Sequence, residues 1–335
     1  MQNQSPTQLH ATLYQLAQED LLDSNELEDA LRLSGKTPDL SRWTWFLRTA
    51  LISLSGLFTF SGILFFFAWN WSQMSRFAKF SSIGVAIAAT ALFAVWYGLD
   101  KLPAKISLSV SSGLIGVLFA VMGQAYQSPA DSWTLFLLWS LFSAGWVLIS
   151  RFSPLWLAWF FLANLTVGLW LSQTGWDAEP MFNILTALNA VILIGWELAV
   201  PTLSWMKGRW LPRTVFFMLA SLSTITLIIL IIDGSSSQSL TAQFIVVSLL
   251  FYIFIVVGGL GFYSYYYQDL FMPSFTLFTL IVVITTFFIQ LLFDVLNLEI
   301  AVIGLLGLLV VGLGYGALKI LQFLQTVEPR LGRTS

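Results

Sequence analysis

The stretch TAQFIVVSLLFYIFIVVGGLGFY, residues 241–263, decides how this chain is to be read. It runs for 23 residues without a charged side chain. A bilayer core about 30 Å thick needs roughly 20 apolar residues at 1.5 Å each, so the stretch is a membrane span. Nine other segments meet or approach that length: 46–69, 80–99, 106–125, 133–150, 155–172, 181–200, 213–232, 271–293 and 299–320. The third and fourth spans are separated only by residues 125–132, so a re-entrant pair is the alternative to two full crossings there. The expected fold is an all-α polytopic transmembrane helical bundle of about ten spans.

Composition agrees. Apolar residues make up 57% of the 335 and charged residues only 10%, with a mean hydropathy of +0.82. A water-soluble domain carries about a quarter charged residues, so lipid is the solvent that fits. The net charge of −2 supplies no basic field, and no nucleic-acid partner is expected. There is no cysteine, which removes disulfides, thiol catalysis and thiolate metal sites. The single histidine, His10, precedes every span. No cofactor or metal is expected. The first 45 residues are polar and acidic, so no cleavable signal peptide is expected either.

Prolines mark the ends of the spans. Pro103, Pro129, Pro154, Pro180, Pro201, Pro212 and Pro273 all fall in connections or first turns, where proline costs no hydrogen bond. Lysine and arginine set the orientation. With the N-terminus inside, Arg32, Lys36, Arg42, Arg48, Lys101, Lys105, Arg151, Lys207, Arg209, Arg213, Lys319, Arg330 and Arg333 are all internal, 13 of the 15 basic residues. Only Arg76 and Lys79 fall outside. Both termini are therefore expected on the cytoplasmic side, and an even number of spans is expected.

Residues 1–42 read as a short cytoplasmic acidic helical hairpin. Its first helix carries Leu9, Leu13 and Leu16 on one face. Its second starts at Asp23-Ser24-Asn25-Glu26, which has the spacing of a capping box, and buries Leu27, Ala30 and Leu31. All fifteen tryptophans lie at or before Trp210. That shift divides the spans into a Trp-rich bundle over 43–210 (spans one to six) and a Gly/Ile/Val-rich bundle over 211–320 (spans seven to ten), followed by a cytoplasmic tail, 321–335.

The candidate site is a pocket at the external face. Its first part, after span one, holds Asn70, Trp71, Arg76 and Lys79. Met74, Phe77 and Phe80 recur there every three residues, as in a short helix lying in the interface. A lipid anchor explains these residues as readily as a ligand-facing loop does. The second part holds Gln124, Tyr126, Gln127, Asp131 and Trp133. Ser128-Pro129-Ala130-Asp131 suits a turn, with Asp131 capping span four and pairing with Arg76 or Lys79. Gln124, Tyr126 and Gln127 are left as convergent polar groups among aromatics.

Small residues about one turn apart in span three (Ser109, Ser112, Gly113, Gly116, Ala120) and in span ten (Gly304, Gly307, Gly312, Gly314, Gly316) are read as close helix packing. Glu197, one turn from the inner end of span six, is expected to pair with Lys207 or Arg209 rather than to sit at the midplane. Asn164, Asn183, Asn189 and Gln290 are expected to hydrogen-bond between helices.

Three segments carry a resemblance. They are residues 21–32 followed by Gly35 and Asp39; Asn70-Trp71 with Arg76, Lys79 and Phe80; and Gly123-Gln124-x-Tyr126-Gln127-x-x-Ala130-Asp131-x-Trp133 with Leu135-Phe136-Leu137-Leu138-Trp139. Over roughly the first 150 residues the chain resembles the bacterial membrane-protein family called domain of unknown function 2157. The resemblance implies an integral inner-membrane protein and carries no activity, so no catalytic residue is transferred by it.

Two functions remain. The first is handling or transport of an uncharged or amphiphilic small molecule or lipid, since no midplane charge or proline-broken span points to an ion. The alternative is a non-transporting membrane scaffold or regulatory protein that binds a protein partner through the N-terminal hairpin. Nothing points to an enzyme: no Ser–His pair, metal cluster or nucleophile elbow is present in the spans.

Overall fold

The computed structural model describes residues 13, 15–19, 21–33, 40–70, 73–126, 131–233, 242–267, 269–296 and 301–326. Ten helices are long and apolar enough to cross a membrane, and no strand occurs among the described residues. A short helix, α1 (Ser24–Leu33), precedes them. The spans are α2 (Leu40–Asn70), α3 (Arg76–Tyr97), α4 (Leu102–Tyr126), α5 (Ser132–Ser150), α6 (Ser153–Gln173), α7 (Ala178–Ala199) and α8 (Trp210–Asp233). They continue with α9 (Ala242–Val257), which passes through a π-helical turn (Gly258–Phe262) into α10 (Tyr263–Tyr266), and end with α11 (Phe271–Leu296) and α12 (Ala301–Thr326).

Spans three and four both form full-length helices. At 1.5 Å per residue, the 25 residues of α4 and the 19 of α5 extend about 38 and 28 Å, enough for two separate crossings. Pro103, Pro154, Pro180, Pro212 and Pro273 each stand in the first turn of a helix, where the missing N–H leaves no gap in the ladder. Pro201 follows Val200, the C-cap of α7.

Of the expected N-terminal hairpin, support reaches one helix only. In α1 the backbone N–H of Asp23 donates to Glu26 Oε2 at 3.0 Å, which is half of a capping box. Leu13 and residues 15–18 are helical, and the rest of the first helix lies outside the described residues. Leu27, Ala30 and Leu31 are half-buried rather than buried, so the two-helix hairpin is not supported. Ten residues offer too little apolar surface for a core. The tail is also shorter than expected, because α2 already begins at Leu40.

The chain divides into two compact units, Met1–Leu114 and Ile115–Ser335. In the first, small residues of α4 receive its neighbours. Ser107 Oγ donates to Thr90 O at 2.7 Å and Ser111 Oγ to Ile87 O at 3.3 Å, joining α4 to α3. A Cβ on Gly113 would stand 2.8 Å from Phe60 Cε2 of α2, so the ring packs where only glycine leaves room. The outer faces of α2 and α3 carry exposed Leu54, Phe58, Val85 and Leu92, as lipid-facing surfaces do.

In the second unit the core joins α6, α7, α8, α9 and α11 through Phe160, Leu193, Trp196, Phe216, Leu219, Ile255 and Met272. Trp139 of α5 lies over Gly116, where a Cβ would be 2.5 Å from its Cδ2. Trp159 Nε1 donates to Ser140 O at 2.8 Å, linking α6 to α5. The tryptophan boundary at residue 210 falls between α7 and α8, and these two helices pack side by side. The glycine packing expected in span ten does not occur among the described residues. A Cβ on Gly304, Gly307, Gly312, Gly314 or Gly316 would meet nothing within 4 Å, because α12 packs against α11 by another face.

Candidate functional site

The residues of the expected external pocket are distributed between the two units. In the first, Asn70 ends α2 and Trp71 lies outside the described residues. Arg76 is exposed and Lys79 half-buried in the first turn of α3, which Ser75 caps by accepting Ala78 N–H at 3.2 Å. The interfacial helix expected around Met74, Phe77 and Phe80 is instead the start of α3 itself, with Phe77 82% exposed. In the second unit Gln124 and Tyr126 are exposed in the last turn of α4, and Gln127 lies outside the described residues. Asp131 takes the N-cap position of α5 and its carbonyl accepts Thr134 N–H at 3.0 Å. Its carboxylate makes no cap hydrogen bond, contrary to expectation. Exposed to solvent, that carboxylate has water as an alternative partner. Trp133 is half-buried, and beside it Gln173 Nε2 donates to Ser132 Oγ at 2.6 Å, tying the end of α6 to the start of α5.

Sequence reading did not anticipate a crevice between α7, α8 and α9. It encloses about 450 Å³, within the range of about 300–1,000 Å³ typical of ligand pockets. One wall is the α7 face bearing Ala190, Leu193, Ile194, Glu197 and Leu198, at helical spacing. Phe216 and Leu219 of α8 form its floor, and Phe254, Ile255 and the π-helical turn form the other wall. Leu198 (73%), Val257 (64%) and Phe254 (50%) are exposed at its rim, so the crevice opens sideways between spans, where lipid lies.

The π-helical turn shapes this wall. Such a turn inserts an extra residue into the helical ladder and often marks a functional position. Its glycines face different ways. A Cβ on Gly259 would collide with Thr276 Oγ1 and come within 3.0 Å of Phe216 Cζ, so the backbone presses directly on α8 and α11 there. A Cβ on Gly258 or Gly261 would meet nothing within 4 Å, and both line the crevice.

At one end the apolar lining gives way to an ion cluster. Arg209 Nη1 donates to Glu197 Oε2 at 3.0 Å, as expected from the sequence, and Tyr263 Oη donates to Glu197 Oε1 at 3.1 Å. Arg209 also lies 3.9 Å from Asp269 Oδ2 and stacks over the Tyr267 ring at 3.8 Å. Arg213 Nε donates to the same Asp269 oxygen at 3.0 Å. The other Asp269 oxygen accepts Phe271 N–H at 2.9 Å, capping α11. With its side chain 2% exposed, Asp269 would lose several kcal/mol of hydration without these partners. Two acids and two bases leave the cluster formally neutral. Burial, and after it the Glu197 charge, raises the Tyr267 phenol above its usual pKa, so it remains a neutral hydroxyl. Asp269 was missed, although Asp269-x-Phe271-x-Pro273 before an apolar run is a helix-start signal.

The intramembrane amides join helices rather than line a polar path. Asn189 Nδ2 donates to Asn164 Oδ1 at 2.6 Å and Asn164 Nδ2 to Asn189 Oδ1 at 3.3 Å, between α6 and α7. Each also donates to its own helix, to Leu185 O and Phe160 O. Asn183 Nδ2 donates to Ser248 Oγ at 2.8 Å, between α7 and α9. A second groove, along α6, α7 and α8, reaches Asn164 but is otherwise almost wholly apolar. Among the described residues, no group of acids or histidines could hold a metal ion.

The geometry thus offers an apolar slot beside a charge-compensated acid, an arrangement that can bind a ligand with an apolar body and a polar end. No curated protein and no solved structure matches this chain. The family model described as "Predicted membrane protein (DUF2157)" matches residues 14–156, from before α1 to the start of α6, so over that stretch the chain is similar to that family, and the crevice lies beyond it.

Proposed function

We propose that this protein handles an uncharged or amphiphilic small molecule or lipid within a bacterial inner membrane, holding it in the crevice between α7, α8 and α9. The basic-residue bias supports a reading in which both termini are cytoplasmic and the Glu197–Arg209 end of the crevice faces the cytoplasmic leaflet. One observation carries the reading: an apolar slot of about 450 Å³ opens sideways between spans and ends at a polar cluster. A hydrocarbon chain can enter from the bilayer without crossing water, while its polar end meets hydrogen-bonding groups. Both sides of the binding equilibrium are then lipid-like, so shape and the polar end set selectivity.

The test is photocrosslinking in nanodiscs with a lipid carrying a diazirine on its chain. Adducts are expected on the peptide spanning residues 254–263. Gly258→Leu and Gly261→Leu project a side chain into the slot from positions where a Cβ meets nothing within 4 Å, and should lower those adducts at least about five-fold, the effect of roughly 1 kcal/mol of lost binding. Labelling that ignores both substitutions, or spreads evenly over all ten spans, would reject the crevice as a binding site.

A further inference from the structure

Resting on that reading, we infer that the crevice selects a single-chain amphiphile whose head is an uncharged hydroxyl, hydrogen-bonded to Glu197. A carboxylate has about four acceptor sites; Tyr263 and Arg209 occupy one on each oxygen of Glu197, and the Tyr267 phenol takes a third. Capacity for a further donor remains on a side chain that lines the slot.

Charge decides between heads. Arg209 already neutralises Glu197, and Arg213 neutralises Asp269, so an ammonium head would bring an uncompensated charge into an apolar slot. A phosphate or carboxylate head would lie against the Glu197 carboxylate and be repelled. Nε of Arg209, paired with Asp269 at 3.9 Å, and its Nη2 do not rescue an anion. They are buried, and Arg209, stacked over Tyr267, is not part of the crevice lining. A hydroxyl adds one charge-assisted hydrogen bond and no net charge. Size restricts the tail. Ala190 to Glu197 spans about 10 Å of helix, and the volume sits in the lower half of the ligand-pocket range, which suits one hydrocarbon chain.

The experiment uses the full-length chain in nanodiscs with four photoactivatable probes sharing one sixteen-carbon tail: the alcohol, its methyl ether, the carboxylate and the trimethylammonium. Expected is labelling of residues 254–263 by the alcohol about tenfold above the ether, which keeps the oxygen but cannot donate. Both ions should label more weakly than the alcohol, and Glu197→Leu should bring alcohol and ether to the same level. The comparison between probes is made on the unaltered protein, so it stands even if that variant fails to fold. Equal labelling by alcohol and ether, or preference for either ion, would overturn the hydroxyl assignment while leaving the crevice as a binding site. Absence of crevice labelling by all four probes would overturn the binding reading as well.

Discussion

Gly258 and Gly259 are adjacent in the eighth span and face opposite demands. Gly259 lets the backbone touch Thr276 and Phe216, whereas Gly258 leaves a wall of the crevice bare. A single methyl group should separate the two roles. Gly259→Ala is expected to destabilise the protein by about 1–3 kcal/mol through overpacking. Gly258→Ala should be neutral or slightly stabilising, by up to about 1 kcal/mol, because alanine is the better helix former and its methyl has room. Unfolding curves in mixed micelles measure both. Equal stability of the two variants would mean that the π-helical turn does not press on α8 and α11 as described. Asp269 belongs to the same scale: one buried carboxylate caps its own helix, α11, through Phe271 N–H and pairs with the distant Arg213.

Between elements, polar side chains carry the specificity that apolar contact cannot supply in lipid, where every face is equally hydrophobic. The Asn164–Asn189 pair sets the register of α6 against α7, and Asn183–Ser248 that of α7 against α9. Because each asparagine of the first pair also bonds a carbonyl of its own helix, replacing one partner leaves the other amide only partly unsatisfied. A double-mutant cycle with Asn164→Ala and Asn189→Ala should therefore show a modest coupling of about 0.6–1.7 kcal/mol. A coupling of zero would remove the pair as a register device. The small residues of α4 act differently: Gly113 and Gly116 admit large rings, Phe60 and Trp139, close to the backbone.

For the whole molecule, the absence of cysteine makes the proposed orientation direct to measure. Single-cysteine variants at two exposed connections, Asp177→Cys after span five and Lys207→Cys after span six, should differ completely in labelling by an impermeant maleimide. The first is expected to react in cells whose outer membrane alone is permeabilised, the second only after lysis. The reverse pattern would invert the topology and place the Glu197 end of the crevice in the outer leaflet. Labelling of both from one side would break the alternation of spans.

The class of fold was legible in the sequence because lipid imposes a simple rule: each crossing needs about 20 apolar residues in a helix, and its ends need proline, charge or turn residues. Ten spans, the positions of the prolines, the Glu197–Arg209 pair and the amide links between helices all follow from residue type and spacing. The crevice does not. Its walls are Leu, Ile, Phe and Gly, the residues that also face lipid throughout this chain, and composition cannot distinguish a slot from a packed seam. The glycines show this most clearly. Gly113 and Gly116 pack against rings, Gly258 and Gly261 face open space, and Gly304 to Gly316 meet nothing among the described residues. Only tertiary contacts separate these cases, because a glycine's role depends on what stands opposite it. Asp269, likewise, acquires its partners from Arg209 and Arg213, some sixty residues earlier, brought to it by the packing of α8 against α11.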